Sequence, residues 1–322
     1  DEAPLAGHIA FVSQSGTFGG LLARIASMKG YGLSKFISIG NQADLKAADY
    51  LEYLGEDEDT EAIVFYMEGF QDGRRFFEVA RDVIKRKPIV IYKAGRSEAA
   101  ARATISHTSS LIGSDEVFEA LCKQVGLIRA DEATHPFDMA EALISQPLPR
   151  GNRVAIIGSG GQGVVTSDAC GCLGLEVPEF DDNTKAHLMK ALPPHAPVPS
   201  NPVDFAAGMR TSLEEVRVAE AIAGIDYIDG IIMNVPIYRN TPGSEVEMAR
   251  KAIEGAEMLA AIPGKYGKPV ITLKWRGDGS DMLQSILRGA GIPSYDTPEQ
   301  CARAMYALAK YAQIRRELNT PV

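Results

Sequence analysis

The chain has 322 residues, of which 45% are hydrophobic and 23% charged, a composition typical of soluble globular proteins and long enough for about two domains. Its 42 acidic and 33 basic residues give a net charge of −9, which disfavours binding to nucleic acid or to an anionic membrane. No apolar run approaches the ~18 residues that span a bilayer. We therefore expect a cytoplasmic protein with neither kind of partner.

The cysteines and the first residue carry two further expectations. The four cysteines, at positions 122, 170, 172 and 301, have no zinc-ligand spacing, and no other metal-ligand pattern is evident. We therefore expect a reduced compartment and no metal site. The chain begins with Asp1 rather than Met, so we also expect it to be an excerpt from a longer protein.

Short apolar runs alternate with longer amphipathic stretches along the whole chain. They predict strands in the first half at residues 8–12, 35–39, 62–67, 89–92 and 127–129, and in the second half at 153–157, 231–234 and 270–273, with weaker strands at 175–177 and 292–295. This alternation is typical of α/β domains with doubly wound, flavodoxin-like parallel sheets. The segment 146–152, which is interrupted by Pro and Gly, separates the predicted domains 1–147 and 148–322.

The two halves also resemble each other in sequence. KPIVIYK at 87–93 matches KPVITLK at 268–274, and GLIRAD at 126–131 matches GIPSYD at 291–296. We interpret this as duplication of a five-stranded unit, with convergence of two α/β units as the alternative. The spacing from Pro88 to Gly126 is 38 residues but only 22 from Pro269 to Gly291. The 16 additional residues fall around Gly95–Gly113, a candidate functional loop that contains His107.

Turns rich in small residues follow the first strand of each half. SQSGTFGG occupies 13–20 and GSGGQG occupies 158–163, each directly before a helical pattern. Backbone N–H groups at such helix starts bind anions, so both turns are candidate phosphate or carboxylate sites. The alternative is that these residues only cap their helices. The second turn also fits the dinucleotide fingerprint, with Glu176 or Glu179 as its acidic partner, which leaves a nicotinamide cofactor as a further alternative.

Two side chains outside the glycine turns are candidates for chemistry. Glu68 follows the third predicted strand, at the edge where open α/β sheets bind ligands, and its counterpart in the second half is the uncharged Val235. His107 lies among hydroxyl side chains in the additional loop. A solvated glutamate and an ordinary surface histidine are the structural alternatives.

Four motifs in this order resemble those of the NDP-forming acyl-CoA synthetases, relatives of succinyl-CoA synthetase: Ser13–Thr17 (SQSGT), Gly40–Asp44 (GNQAD), Glu68–Gly69 and Ser106–Thr108 (SHT). Asn201–Asp204 (NPVD), which follows the second glycine turn, is similar to that family as well. The resemblance covers nearly the whole chain. Ser109 and Ser110 depart from it, because members commonly have Gly-Ala there.

The resemblance implies an acid–thiol ligase in which acyl-CoA, ADP and phosphate interconvert with acid, ATP and CoA. It implies that His107 becomes phosphorylated and that Glu68 contacts this histidine, fixing its tautomer. The implied phosphate-binding residues are Ser13, Gln14, Ser15, Gly16, Thr17, Gly160, Gly161, Gln162 and Gly163. The implied supports of the site are Ser106, Thr108, Asn41 and Gln42.

The resemblance also implies partners. The family's CoA-binding Rossmann domain and its ATP-grasp domain are not found in this sequence, so they belong to the same full-length chain or to a partner subunit. We expect an oligomer that uses CoA, ATP or ADP with Mg²⁺, phosphate and a small carboxylic acid, with no tightly bound cofactor. The isolated chain is expected to be inactive. Two alternatives stay open: a non-catalytic binding or scaffold module of the same fold, and a nicotinamide-dependent oxidoreductase.

Overall fold

The computed structural model describes residues 3–97, 99–100, 114–158, 160–192, 197–205, 212–235, 245–274 and 280–319. The chain divides into two compact units: one comprises Asp1–Ile144 together with Ile314–Val322, and the other comprises Ser145–Gln313. The first division lies within a few residues of the boundary expected after residue 147. The grouping of the C-terminal segment with the first unit was not expected from the sequence.

The first unit is built on a five-stranded parallel sheet. Its strands are β1 (Ala6–Ser13), β2 (Leu33–Ser38), β3 (Ala62–Met67), β4 (Ile89–Lys93) and β5 (Ile128–Arg129), in the order β2-β1-β3-β4-β5. The described helices are α1 (Gly16–Met28), α2 (Ala47–Glu56), α3 (Gly73–Val83), α4 (Asp115–Val125) and α5 (His135–Ser145). This is the flavodoxin-like strand order, so the predicted fold class is confirmed.

The core of the first unit explains why its strands read as continuous apolar runs. All six residues of β3 are buried, as expected for a central parallel strand that helices cover on both faces. Phe65 on this strand packs edge-to-face on Phe76 of α3, with ring centroids 5.3 Å apart. Phe11 on β1 packs in the same way on Phe137 of α5, at 5.0 Å. These contacts pack β1 and β3 against the helices that cover the sheet.

The second unit is built on a parallel sheet with four strands in its described part. These are β6 (Val154–Ile157), β7 (Gly230–Asn234), β8 (Val270–Leu273) and β9 (Ser294–Tyr295), in chain order across the sheet. The described helices are α6 (Gly161–Cys172), α7 (Asp182–Met189), α8 (Ser212–Ala223), α9 (Glu245–Tyr266), α10 (Ser280–Gly289) and α11 (Pro298–Asn319), whose residues from Ile314 onwards belong to the first unit. One apolar cluster joins β6 and β7 to α8 and α9 and includes Ile157, Met233, Val216 and Leu259.

Two strand predictions for the second half are corrected. Residues 175–177 form no strand: Glu176 makes one isolated bridge to Arg153, and a second isolated bridge joins Val203 to Ile157. Pro178 has no N–H to donate to a ladder, so pairing cannot continue past it. The strand expected at 292–295 is reduced to Ser294–Tyr295. The described second sheet thus has four strands rather than the five predicted.

No helix in the described part of the chain is long and apolar enough to cross a membrane.

Candidate functional site

The first glycine turn joins β1 to α1 at the carboxyl edge of the first sheet. Ser15 is the N-cap of α1, and its hydroxyl accepts a hydrogen bond from the N–H of Phe18 at 3.3 Å. The Ser13 hydroxyl donates to the Ser15 carbonyl at 2.7 Å, which fixes the turn from within. Gly16 and Thr17, in the first turn of the helix, are exposed. Ser15 therefore does cap the helix, while Gly16 and Thr17 at the helix start stay exposed to solvent.

Gln14 fastens this turn to the end of β3. Its side chain is buried, with 5% of the residue exposed. The amide oxygen Oε1 accepts hydrogen bonds from the N–H groups of Glu68 at 2.9 Å and Gly69 at 3.1 Å. The backbone N–H of Gln14 donates to the Tyr66 carbonyl at 3.0 Å. Gln14 thus satisfies two buried donors and fixes where Glu68 stands.

Gln42 holds the same strand end from the loop between β2 and α2. It is 2% exposed and has a positive φ of 56°, a backbone conformation that residues other than glycine seldom adopt. Its Nε2 donates to the Gly69 carbonyl at 3.0 Å, and its Oε1 accepts from the Ala47 N–H at 3.2 Å. The neighbouring Asn41 is exposed. The structure therefore brings Gln42, but not the Asn41 side chain, into the buried support of Glu68.

The Glu68 side chain meets a buried tyrosine. Glu68 is 8% exposed, and Tyr66 Oη donates to its Oε1 at 3.4 Å. The Tyr66 ring lies against Phe18 and Tyr92, with centroids 5.1 and 5.8 Å away. Burial raises the pKa of Tyr66, and the neighbouring Glu68 carboxylate raises it further. The phenol is therefore protonated at neutral pH and acts as a donor to Glu68.

A buried lysine lies at the end of the next strand. Lys93, the last residue of β4, is 2% exposed, and its Nζ donates a long hydrogen bond of 3.4 Å to the Ala94 carbonyl. The ammonium lies 5.7 Å from the centroid of the Phe118 ring. Burial lowers the pKa of Lys93, although the Asp115 carboxylate partly offsets this effect. Arg129 forms ion pairs with Asp115 and Glu119 beside it.

His107, Ser106 and Thr108 lie outside the described residues. The described residues that flank the loop are anchored by two serines: Ser97 Oγ accepts from the Ala100 N–H at 3.2 Å, and Ser114 is the N-cap of α4. Within the part of the chain that the structure describes, no group of three or more His, Cys, Asp or Glu side chains is arranged to hold a metal ion.

The second glycine turn begins α6 at the carboxyl edge of the second sheet. Its N-cap is Gly160, which has a positive φ of 56°, a conformation that glycine adopts without strain. Because glycine has no side chain, the N-cap residue makes no side-chain hydrogen bond to the helix. The Gly160 N–H donates to Asp204 Oδ2 at 3.3 Å. Gln162 Oε1 accepts from Asn234 Nδ2 at 2.9 Å. A Cβ on Gly163 would lie only 3.2 Å from Pro202 Cβ, so this glycine lets the NPVD segment pack closely.

Comparison with known proteins places these two units. The profile described as "Succinyl-CoA ligase like flavodoxin domain" matches residues 6–143. The structure of acetyl-coenzyme A synthetase 1 from Ca. Korarchaeum cryptofilum, solved in complex with phosphate and ADP, superposes with a TM-score of 0.83 at 32% identity; the match covers 98% of this chain and 67% of that one. The chain belongs to the NDP-forming acyl-CoA synthetase family. The resemblance stated from the motifs is thereby confirmed.

Two curated members of this synthetase family show how much of their length the chain represents. It is 40% identical to the ADP-forming acetate–CoA ligase II subunit alpha of Pyrococcus furiosus, covering 95% of this chain and 66% of that subunit. It is 36% identical to the ADP-forming acetate–CoA ligase I of Archaeoglobus fulgidus, covering 97% of this chain and 43% of that protein. The chain thus spans from under half to about two thirds of these synthetases.

The sequence did not identify several residues that lie at the carboxyl edges of the two sheets. Lys93 had a signal, because it is the charged last residue of an otherwise apolar strand and matches Lys274 in the other half. Tyr66 had none, since a tyrosine inside a buried strand reads as core. Asp204 was identified only as part of the NPVD motif. Its hydrogen bond to Gly160 joins residues that are far apart in sequence, so the sequence alone does not predict it.

Proposed function

We propose that this chain is the catalytic core of an acyl-CoA synthetase that interconverts acyl-CoA, ADP and phosphate with acid, ATP and CoA. The observation that carries the proposal is the buried support of Glu68. Gln14 and Gln42 fasten its strand end from two loops, and Tyr66 donates to its carboxylate. Three buried side chains thus support the Glu68 carboxylate at the sheet edge where α/β folds bind ligands. This arrangement favours a functional role for Glu68 over that of a solvated surface charge.

In the proposed reaction, an oxygen of phosphate attacks the thioester carbonyl of acyl-CoA, the C–S bond breaks, and CoA leaves as acyl phosphate forms. His107 then carries the phosphoryl group from acyl phosphate to ADP. One imidazole nitrogen keeps its proton and donates a hydrogen bond to Glu68, while the other nitrogen attacks phosphorus. An N–P bond forms, the P–O bond to the acyl group breaks, and the carboxylate leaves with the electron pair. An oxygen of ADP then attacks the same phosphorus, the N–P bond breaks, and ATP and neutral His107 result.

The two helix starts are the proposed phosphate-binding groups. In each unit, N–H groups in the first turn of the helix, α1 in the first and α6 in the second, can stabilise the negative charge of a phosphate group. Ser13–Thr17 would serve the first turn and Gly160–Gly163 the second. A CoA-binding domain and an ATP-grasp domain, on the same chain or on a partner subunit, would supply the CoA and nucleotide sites. The relatives named as alpha subunits agree with an enzyme assembled from several parts.

The position of Glu176 argues against the nicotinamide alternative. A dinucleotide fingerprint needs its acidic residue at the carboxyl end of the second strand, beside the glycine turn. Glu176 instead bridges to Arg153, at the amino end of β6. Glu179, the other candidate, is exposed and lies 3.9 Å from Lys185. Neither residue meets the requirement for holding a ribose at the Gly160 turn.

Phosphate labelling tests the proposed function. The complete synthetase, comprising this chain with its CoA-binding and nucleotide-binding parts, is incubated with ³²P-labelled ATP and Mg²⁺. Mass spectrometry then maps acid-labile phosphate. We expect label on His107, none in His107→Asn, and normal labelling in His8→Asn, the matched change at an exposed histidine. Asparagine cannot serve as the nucleophile, so turnover should be lost outright.

Stability provides the control for this experiment. The second half lacks 16 of the loop residues, so the loop is not needed for the sheet, and His107→Asn should change stability by only about 0.5 kcal/mol. Near-normal labelling or turnover in His107→Asn would refute the phosphohistidine. An unlabelled parent enzyme would favour the non-catalytic module.

A further inference from the structure

Two separate chain segments bind the edge of β6 that faces away from β7. The groups that bind along this edge are the Glu176 backbone, the Asn201 side chain and the Val203 backbone. At the amino end, Glu176 donates to the Asn152 carbonyl at 2.9 Å and accepts from the Val154 N–H at 2.7 Å. At the carboxyl end, Val203 donates to the Ile156 carbonyl at 2.8 Å and accepts from the Gly158 N–H at 3.1 Å. Between these bridges the Val154 carbonyl and the Ile156 N–H need partners, because β6 is fully buried.

The side chain of Asn201 supplies both partners. Its Nδ2 donates to the Val154 carbonyl at 2.8 Å, and its Oδ1 accepts from the Ile156 N–H at 2.9 Å. The same Nδ2 donates to the Pro178 carbonyl at 3.1 Å, which joins the chain that leaves the sheet to the chain that returns. A carboxamide, like a peptide group, holds a carbonyl acceptor and an N–H donor in one plane, and its NH₂ group has a second N–H for a further partner. Asn201 therefore acts as the missing strand residue between Glu176 and Val203.

Because the Asn201 side chain binds β6 in place of a backbone residue, it also determines the position of Asp204. Asn201 and Val203 together fix the register of the returning chain on β6, and Asp204 is the next residue. Its Oδ2 receives the Gly160 N–H at 3.3 Å, at the start of α6. Pro202 packs on Gly163 in the first turn of that helix. The NPVD segment is thus attached to β6 at one end and to the second glycine turn at the other.

We propose that Asn201 is a positioning residue for phosphate binding, acting through Asp204 on the turn that begins α6. The Asp204 carboxylate holds the Gly160 amide, and this contact orients the following N–H groups of α6 towards the phosphate. The inference rests on the proposed function and goes beyond it, because it assigns roles to Asn201 and Asp204.

Steady-state kinetics of the complete synthetase in the ATP-forming direction test this inference, with the KM for inorganic phosphate as the readout. Asp204→Ala removes the acceptor and should raise this KM about tenfold, the effect of one typical hydrogen bond. Asp204→Asn retains an acceptor oxygen and should stay close to the parent. Asn201→Ala should raise the KM as Asp204→Ala does and also lower the melting temperature, because two buried backbone groups lose their partners.

The double variant separates positioning from stability. If Asn201 acts through Asp204, Asn201→Ala should lower the melting temperature of Asp204→Ala but raise its phosphate KM no further. Asn152→Ala is the matched control: Asn152 Nδ2 donates to the Gly174 carbonyl at 3.0 Å near the other end of β6, and its loss should leave the KM unchanged.

Each outcome bears on one hypothesis. An unchanged phosphate KM in Asp204→Ala would overturn the inference even if Asn201→Ala were unstable or failed to fold. Additive KM effects in the double variant would also overturn it. The proposed function is judged separately, because it fails only if His107→Asn remains active or the parent enzyme is never phosphorylated.

Discussion

The carboxyl edges of the two sheets support their turns in different ways. At the first edge, two buried glutamines, Gln14 and Gln42, bind backbone groups and hold a carboxylate, Glu68, between the loops. At the second edge, Asp204 binds the turn and Gln162 pairs with Asn234. The residue matching Glu68 there is the fully buried Val235. The two halves therefore differ after their matching strands: a buried carboxylate, Glu68, follows β3, and a buried apolar residue, Val235, follows β7.

The opposite, amino edges are much more alike. Lys87 Nζ donates to the carbonyls of Leu54 at 2.9 Å and Asp57 at 2.6 Å, around the end of α2. Its repeat partner Lys268 donates to the Ile225 carbonyl at 2.6 Å, just after α8. Burial lowers the pKa of both lysines. Similarity at the amino edges and difference at the carboxyl edges indicate that the halves share what holds the sheet and diverge where α/β folds bind ligands.

The largest expected effect comes from removing the Glu68 charge, which has no counterpart at Val235, and it is an effect on the rate of phosphorylation. Glu68→Gln keeps the shape of the side chain but removes the charge that orients and stabilises the imidazole. We expect phosphorylation of the complete synthetase to slow about 10²–10⁴-fold, with little change in melting temperature. Rapid-quench labelling measures the rate. Glu61→Gln is the control, because Glu61 is an exposed glutamate just before the same strand; equal rates in the two variants would remove Glu68 from the mechanism.

A smaller effect should follow from removing the glutamine supports. Gln14→Met keeps the length of the side chain but leaves the buried N–H groups of Glu68 and Gly69 without their acceptor, at a cost of about 2–4 kcal/mol. Gln162→Met breaks one side-chain bond at a partly exposed position and should cost about 0.5–1.5 kcal/mol. Hydrogen exchange at the amides of Glu68 and Gly69 reports the first effect directly.

The outcome of the glutamine comparison is decided at those two amides. Their protection should fall in Gln14→Met and persist in Gln162→Met. Unchanged protection in Gln14→Met would mean that water replaces the amide oxygen without loss and that Gln14 is not a structural support.

Much of the fold could be predicted because the strands are buried on both faces. The run AIVFYM predicts a strand at 62–67, and β3 has those bounds. The sequence could not show that residues 175–177 form no strand, since the side chain of Asn201 takes the place of a backbone residue beside β6. Gln14 is predicted to bind phosphate from its place in a turn, and the spacing gave no sign that its amide oxygen also accepts from the N–H groups of Glu68 and Gly69, just after β3. Sequence spacing locates a residue on a loop but does not give the direction of its side chain.

The smallest expected effect concerns Lys93, the last residue of β4, and Lys274, the residue after β8. Lys93 is buried, whereas Lys274 lies 3.5 Å from Asp296 at a partly exposed position. Because the pKa of Lys93 is lowered in the folded protein, the unfolded chain binds more protons between that lowered pKa and about 10.5. The contribution of Lys93 to stability therefore rises with pH across this window. Lys93→Met lacks this contribution. The free energy of unfolding of the parent, relative to that of the variant, should therefore rise by up to about 1.4 kcal/mol per pH unit.

Denaturant unfolding of both proteins between pH 7 and pH 10.5 measures this difference. Lys274→Met serves as the control: it removes a partly exposed ion pair worth at most about 1 kcal/mol, which added salt should screen. The Lys93 effect should persist in salt, since burial rather than an exposed partner is its main cause. A difference between parent and Lys93→Met that stays constant over the whole range would show that the ammonium of Lys93 is solvated in the folded protein. The two strand ends would then be more alike than their exposures indicate.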